Sequence, residues 1–194
     1  MIALIDYGAG NTASVANALK TLDQDFILTN KESEICGSDK VIFPGVGEAS
    51  FTIKQLHRYN LISLLRIINR PILGICLGMQ LFADFSKEGN VSCLGIIPGT
   101  IDLFDSGKIT VPHMGWNEVI QTSQSKLFKD IKDGEFFYFA HSYYFAMCDY
   151  TTSKTVHGIE FSASVEKGNY YGVQFHPEKS GEAGLKVLRN FLSI

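Results

Sequence analysis

Cysteine is scarce and scattered in this chain: four residues, at positions 36, 76, 93 and 148, show neither paired spacing nor any CxxC. That argues against a disulfide framework or a structural zinc site, and makes a reducing cytoplasm the expected setting. A surplus of positive charge is also missing. The formal net charge is -3, which gives no electrostatic reason to expect nucleic acid or an anionic membrane as partner. No apolar run approaches the length of a membrane span. The opening Met1-Ile2-Ala3-Leu4-Ile5-Asp6-Tyr7-Gly8 lacks the basic start and longer apolar stretch of a signal peptide. Repeats, low-complexity tracts and linker-like segments are lacking too, so residues 1–194 are read as a single domain with a sizeable core.

What the chain does have is concentrated around Pro71-Ile-Leu-Gly74-Ile-Cys76-Leu-Gly78-Met-Gln80. The apolar run Pro71 to Ile75 reads as a buried strand, and Leu77 to Phe85 can coil as a helix. Between them, Gly74-x-Cys76-x-Gly78 has the glycine pattern of a nucleophile elbow, a sharp strand-to-helix turn that lifts a reactive side chain out of a sheet. Glycine suits both flanks because a side chain would crowd the turn. A helix N-terminus beside the cysteine favours an anionic sulfur. The plainer reading is a buried cysteine in a tight turn, and the rest of the chain has to decide between the two.

From the amino terminus, Ile2 to Asp6 reads as a strand, Gly8-Ala9-Gly10-Asn11 as a glycine loop, and Val15, Ala18, Leu19 and Leu22 as a helix face. A dinucleotide fingerprint fails here, because Ala13 occupies the place of the third glycine and the next strand, Asp25 to Thr29, does not end on an acidic residue. Lys40 to Phe43 is another buried strand, followed by Pro44-Gly45-Val46-Gly47-Glu48 and a helical pattern over about 50–68. Two glycines directly after a strand suit either a simple turn or a loop whose N–H groups face a developing oxyanion. Strands alternating with helices predict an α/β fold, a mostly parallel sheet with helices on both faces. In such sheets the site lies beyond the carboxyl ends of the strands, where Asp6, Pro44–Gly47 and Cys76 all stand.

From Gly95 to Val165 the pattern changes to β-type runs at Ile109–Val111, Asn117–Ile120, Phe136–Ala140 and Thr155–Ile159, which predict antiparallel strands in the second half. His113, His141 and His157 have no ligand-like spacing and are read as structural, with no metal expected. The last strand, Tyr170 to Phe175, delivers His176-Pro177-Glu178, and a helix carrying Leu185, Leu188 and Leu192 closes the chain. Pro177 keeps His176 extended. On an extended segment His176 and Glu178 project to one side, so that a carboxylate can orient an imidazole that activates a nucleophile.

Gly74-Ile-Cys76-Leu-Gly78-Met-Gln80, Pro44-Gly-Val-Gly47 and Val173-Gln-Phe-His176-Pro-Glu178-Lys179 together resemble the triad-type (class I) glutamine amidotransferases, a flavodoxin-like family. Within it the chain is similar to the glutaminase subunits of imidazole glycerol phosphate synthase. That narrower likeness rests on Asp6–Asn11, Phe43–Ala49, Val111–Asn117, Tyr138–Tyr144 and Gln174–Gly181, with Val111-Pro-His-Met-Gly-Trp-Asn117 the most discriminating.

The resemblance implies Cys76 as nucleophile, His176 as general base and then acid, and Glu178 as the orienting carboxylate. It implies an oxyanion hole from Leu77 and the loop of Gly45 and Val46, and a substrate pocket from Gln80, Glu88, His141, Ser142 and Tyr143. Asn11, Trp116 and Tyr138 match positions near a subunit interface. The implied partner is a cyclase subunit with a (β/α)8 barrel, the substrate is glutamine, and no cofactor is implied. Two stretches depart from the pattern: Thr12-Ala13-Ser14 lacks the expected Leu-Arg after Asn11, and Phe82–Phe85 is less typical. Two other readings compete: a glutaminase paralogue serving another acceptor, such as a sugar amidotransferase, and a non-enzymatic cysteine sensor or inactive regulatory subunit. The filled Cys-His-Glu set and Gln80 argue against the last.

Overall fold

A computed structural model describes the whole chain except Ala9 and Gly10, so the glycine-loop reading at Gly8–Gly10 lies partly outside the described residues. The first half runs β1 (Ile2–Ile5), α1 (Thr12–Thr21), β2 (Phe26–Thr29), α2 (Glu32–Cys36), β3 (Lys40–Gly45), α3 (Ala49–Arg58), α4 (Leu61–Ile67), β4 (Ile72–Cys76) and the single turn α5 (Leu77–Gln80). Then come β5 (Phe85–Ser86), β6 (Val91–Ser92), β7 (Thr100–Leu103), β8 (His113–Gln121), β9 (Glu135–His141), β10 (Tyr143–Phe145), β11 (Thr151–His157), β12 (Ile159–Lys167) and β13 (Tyr170–Val173). A 3-10 turn (Pro177–Lys179) and α6 (Gly181–Leu192) end the chain.

One sheet takes the order β2-β1-β3-β4-β13-β12-β11-β8-β9. It is parallel from β2 to β13 and antiparallel from β13 to β9, as the change of pattern along the sequence predicts. Alternation along β1 explains why helices cover both faces of the parallel part. Ala3 and Ile5 pack with α3 and α4, whereas Ile2 and Leu4 pack with α1 and α6. A smaller sheet, β10-β7-β5-β6, extends the site end of the molecule.

Several expected elements are altered. The helical run over 50–68 is two helices, broken where Asn60 takes a left-handed conformation (φ 56°, ψ 29°) that Asn tolerates better than most residues. The helix expected from Leu77 to Phe85 stops after one turn. Beyond it the Asp84 N–H donates to the Gly99 carbonyl and the Asp84 carboxylate accepts from the Gly99 N–H, drawing the chain into the small sheet. Ile109–Val111 forms no strand: it leads into a cis Val111–Pro112 bond, and proline has no N–H to give a ladder. Gly158 (φ 73°) divides the run Thr155–Ile159 into the end of β11 and the start of β12. Among the described residues no helix is long and apolar enough to cross a membrane.

Candidate active site

β4 ends on Cys76, which adopts φ 53° and ψ -110°, a conformation that costs an L-residue free energy and persists only where packing enforces it. Close backbone contact is the enforcing element. A β-carbon at Gly74 would lie 2.7 Å from backbone atoms of Gly78 and Met79, and one at Gly45 would lie 2.5 Å from the Gly78 nitrogen. One at Gly78 would overlap the Phe43 carbonyl oxygen. The glycines therefore let β3, β4 and α5 touch backbone to backbone, and this contact presents Cys76 at the sheet's carboxyl end. The residue is 6% exposed.

His176 arrives from the neighbouring strand. β13 ends at Val173, two residues before the expected Phe175, and the His176 N–H donates to the Tyr138 carbonyl of β9 at 2.8 Å. The segment after His176 is not extended as expected. Pro177 opens a 3-10 turn, its fixed φ suiting a helical start, and this turn brings the Glu178 carboxylate to 2.9 Å from His176 Nδ1. Both side chains are buried, 2% and 1% exposed. Burial works against an imidazolium there, but the charge and hydrogen bond of the Cys76 sulfur, followed by the hydrogen bond and charge of Glu178, outweigh it and hold His176 up to about 10.

A cleft of about 270 Å³ opens in front of Cys76. Val46 and Leu77, expected at an oxyanion hole, and Gln80, Glu88, His141, Ser142 and Tyr143, expected at a substrate pocket, all line it, whereas Gly45 is buried beneath, paired with Cys76 across β3 and β4. As the first residue of α5, Leu77 has an N–H that the helix cannot pair. Gly47, Pro112, Met114 and Ala140 complete the lining. Gly47 belongs to the Pro44–Gly47 loop that the sequence places at the site; Pro112, Met114 and Ala140 carry no such signal because their contribution is position, not chemistry. Glu88 accepts from the Ala49 N–H at 2.9 Å. Burial raises its pKa, partly offset by that N–H and reinforced by the nearby Glu48 charge.

His113, His141 and His157 meet, although nothing in their spacing predicts it. The β8–β9 register sets His113 opposite His141, and the His157 ring stacks on His113 at 4.2 Å. The hydrogen bonds run one way. His141 Nδ1 must donate to the Tyr143 carbonyl (2.7 Å), so its Nε2 accepts from His113 Nδ1 (3.0 Å), and His113 Nε2 accepts from Asn117 Nδ2 (3.3 Å). An added proton has no acceptor in this chain. Burial accordingly lowers His113 to about 4, with the His157 charge adding to it. Burial lowers His141 to about 3, opposed by the hydrogen bond to the Tyr143 carbonyl and reinforced by the His113, His176 and His157 charges. The ring nitrogens of His113 and His141 are committed to this donor chain, and no group of three or more metal-ligating side chains converges among the described residues.

The sign of the linkage follows. The unfolded chain binds these two protons near the ordinary histidine value of 6.5, whereas the fold refuses them down to about 4 and about 3. Their contribution to stability is thus present above pH 6.5 and is lost as pH falls. Imidazole signals of His113 and His141 are expected to stay those of neutral rings from pH 7 to pH 5. Protonation of either in that range would break the proposed donor order.

Asn11, Trp116 and Tyr138, the positions expected near an interface, form one strip with the His-Pro-Glu-Lys turn. Trp116, 56% exposed, stands opposite Tyr138 in the β8–β9 register, with ring centroids 6.2 Å apart. Lys179 lies over the Tyr138 ring at 5.9 Å, and Asn11 Nδ2 donates to Glu178 Oε1 at 3.4 Å. The sequence did not reveal that Asn11 would touch the same carboxylate as His176.

Residues 3–194 match the family described as glutamine amidotransferase class-I. The chain is 43% identical to the imidazole glycerol phosphate synthase subunit HisH of Vibrio parahaemolyticus, covering 100% of this chain and 98% of that one. It is 46% identical to the subunit of the same name from Bacteroides fragilis, covering 100% and 99%. In three dimensions it resembles a putative GMP synthase subunit from Thermoplasma acidophilum (TM-score 0.76, 20% identity, 99% and 92% covered). It also resembles a solved glutamine amidotransferase (TM-score 0.77, 17% identity, 100% and 98% covered). These two likenesses show the fold.

Proposed function

The chain belongs to the class-I glutamine amidotransferase family, alongside the HisH subunits of imidazole glycerol phosphate synthase, and from that premise we propose how its residues divide the work. The protein hydrolyses glutamine to glutamate and ammonia and feeds the ammonia to a cyclase in histidine biosynthesis. One observation carries the assignment of residues: a strained cysteine ends β4 at the sheet's carboxyl end, and the neighbouring strand β13 leads to a buried histidine whose Nδ1 lies 2.9 Å from a buried carboxylate.

The Cys76 sulfur, as thiolate, attacks the side-chain carboxamide carbon of glutamine. The oxyanion that forms is held by backbone N–H groups of Leu77 and of the Gly45–Val46 loop. His176 gives its proton to the departing nitrogen as the C–N bond breaks, releasing ammonia and leaving a thioester. Water, deprotonated by His176, then cleaves the thioester to glutamate and restores the sulfur. Glu178 orients the imidazole and stabilises its cation.

Gln80 has both amide hydrogens occupied, on the Tyr143 carbonyl at 2.7 Å and on Gln174 Oε1 at 2.8 Å, so it offers glutamine an acceptor. With the Glu88 carboxylate it suits the substrate ammonium, while His141, Ser142 and Tyr143 wall the opposite side. No cofactor enters these steps. Residues 1–194 act as one amidotransferase domain in the cytoplasm. The partner is a (β/α)8-barrel cyclase that docks on Asn11, Trp116 and Tyr138. Docking there reaches the base directly, because Asn11 touches Glu178. A paralogue serving a different acceptor is the weaker reading, given full-length identity to the HisH subunits.

Capture by a glutamine analogue that alkylates its attacking thiol tests this reading. Label is expected on Cys76 alone and several-fold faster with the cyclase present. Cys93 should stay unlabelled because burial, with the Asp84 and Glu88 charges, pushes its thiol up to about 12. Label at Cys36, Cys93 or Cys148 would refute the nucleophile assignment.

A further inference from the structure

Gln174 is fully buried and lies between the proposed substrate pocket and the nucleophile, yet no step above uses it. Its Oε1 accepts from Gln80 Nε2 at 2.8 Å, and its Nε2 lies 3.5 Å from Cys76 Sγ. Side-chain amides can be turned end for end, so the orientation has to be argued. It is fixed from the far end of the network. The Tyr143 carbonyl can only accept, and it receives both His141 Nδ1 and Gln80 Nε2, each at 2.7 Å. Gln80 therefore points its NH2 group inward and needs a second acceptor, which is Gln174 Oε1. That leaves the Gln174 NH2 facing the sulfur. The opposite orientation would set two NH2 groups against each other and a carbonyl oxygen against a thiolate.

We propose that Gln174 supplies a side-chain hydrogen-bond donor that stabilises the Cys76 thiolate and aims it at the substrate, its amide locked by Gln80, Tyr143 and the chain from His141 through His113 to Asn117. The inference rests on Cys76 being the nucleophile. A donor here acts from a direction His176 does not occupy, so the sulfur is held as an anion while the imidazolium proton stays available for the leaving nitrogen. A hydrogen bond to a charged group is the strong kind, and a partner removed from a buried site is not replaced by water. The same lock ties substrate recognition to reactivity, because whatever moves Gln80 in the cleft also moves the donor on the sulfur.

The test is the pH profile of iodoacetamide alkylation at Cys76, read by peptide mapping in the full chain without glutamine. Gln174→Met removes the donor at nearly constant volume. Gln174→Glu keeps the acceptor that Gln80 needs and changes chiefly the group facing the sulfur. Both are expected to slow alkylation near pH 7 by roughly tenfold and to move the profile to higher pH. Profiles superimposable on the parent, in variants with parental urea unfolding, would overturn the proposal. Without any substitution at position 174, the parent's Gln174 side-chain amide signals should shift when Cys76 is carbamidomethylated; signals that stay in place would overturn it equally. The underlying reading fails separately: glutamine hydrolysis surviving in Cys76→Ala would remove the nucleophile while leaving the Gln174–sulfur contact as measured.

Discussion

Cys76→Ala is expected to lower glutamine-dependent turnover by roughly 10⁴-fold or more, the scale seen when the nucleophile of a catalytic unit is removed. With no thioester possible, neither His176 nor the backbone donors have an intermediate to serve. Cyclisation driven by added ammonium salts should survive at near-parental rate, because the partner's chemistry does not pass through the sulfur. The pair of assays separates loss of the nucleophile from loss of the complex: a variant that fails in both has lost docking, and one that keeps glutamine turnover contradicts the mechanism.

The same variant has a spectroscopic consequence. In the parent, the upward influences of Cys76 and Glu178 overcome burial and hold the His176 proton to about 10. Without the sulfur, burial is opposed by Glu178 alone, so His176 should titrate at lower pH. The linkage sign is opposite to that of His113 and His141. A folded value above the ordinary 6.5 means that the His176 contribution to stability is complete below 6.5 and is lost as pH rises toward 10. An imidazole signal of His176 unmoved by Cys76→Ala would contradict the sulfur–imidazolium pairing.

Gly78→Ala should have the largest effect on the fold itself. The added methyl would overlap the Phe43 carbonyl oxygen, a backbone atom of the central strand β3 that has no rotamer to change. Relief requires β3 and α5 to separate, disturbing the Gly45–Cys76 pairing as well. Overpacking of this kind costs on the order of 3 kcal/mol or more, against a total stability of about 5–15 kcal/mol. Urea or thermal unfolding should show a loss of that size or an insoluble chain. A midpoint equivalent to less than about 0.5 kcal/mol of change would mean that the strand and turn are not in the contact described. Gly47 makes a useful contrast. A β-carbon there meets nothing within 4 Å, and its constraint is instead φ 110°, which confines it to glycine in the present loop conformation.

Much of this architecture could be read from the chain alone. Local apolar runs interrupted by Gly and Pro revealed β1, β3 and β4, because a strand buried on both faces needs continuous Val, Ile, Leu and Phe whatever its neighbours are. Gly74-x-Cys76-x-Gly78 and His176-Pro177-Glu178 are each contained within a few residues, so their chemistry travels with the sequence. Element ends set by one residue's backbone or by a contact farther along the chain are not legible in an apolar pattern. The short α5 was cut off by Asp84 and Gly99, and the helix over 50–68 broke at a single left-handed Asn60.

Sequence by itself determined the elbow cysteine, the histidine and carboxylate that could serve it, and an α/β sheet with its site at the strand ends. These are local facts of spacing and side-chain chemistry. Only the tertiary structure decided that three histidines far apart in sequence share one donor chain, that Asn11 leans on the carboxylate of the base, and that Gln174 faces the sulfur. Strand register and backbone-to-backbone contact set those relations, and neither is encoded in any one segment.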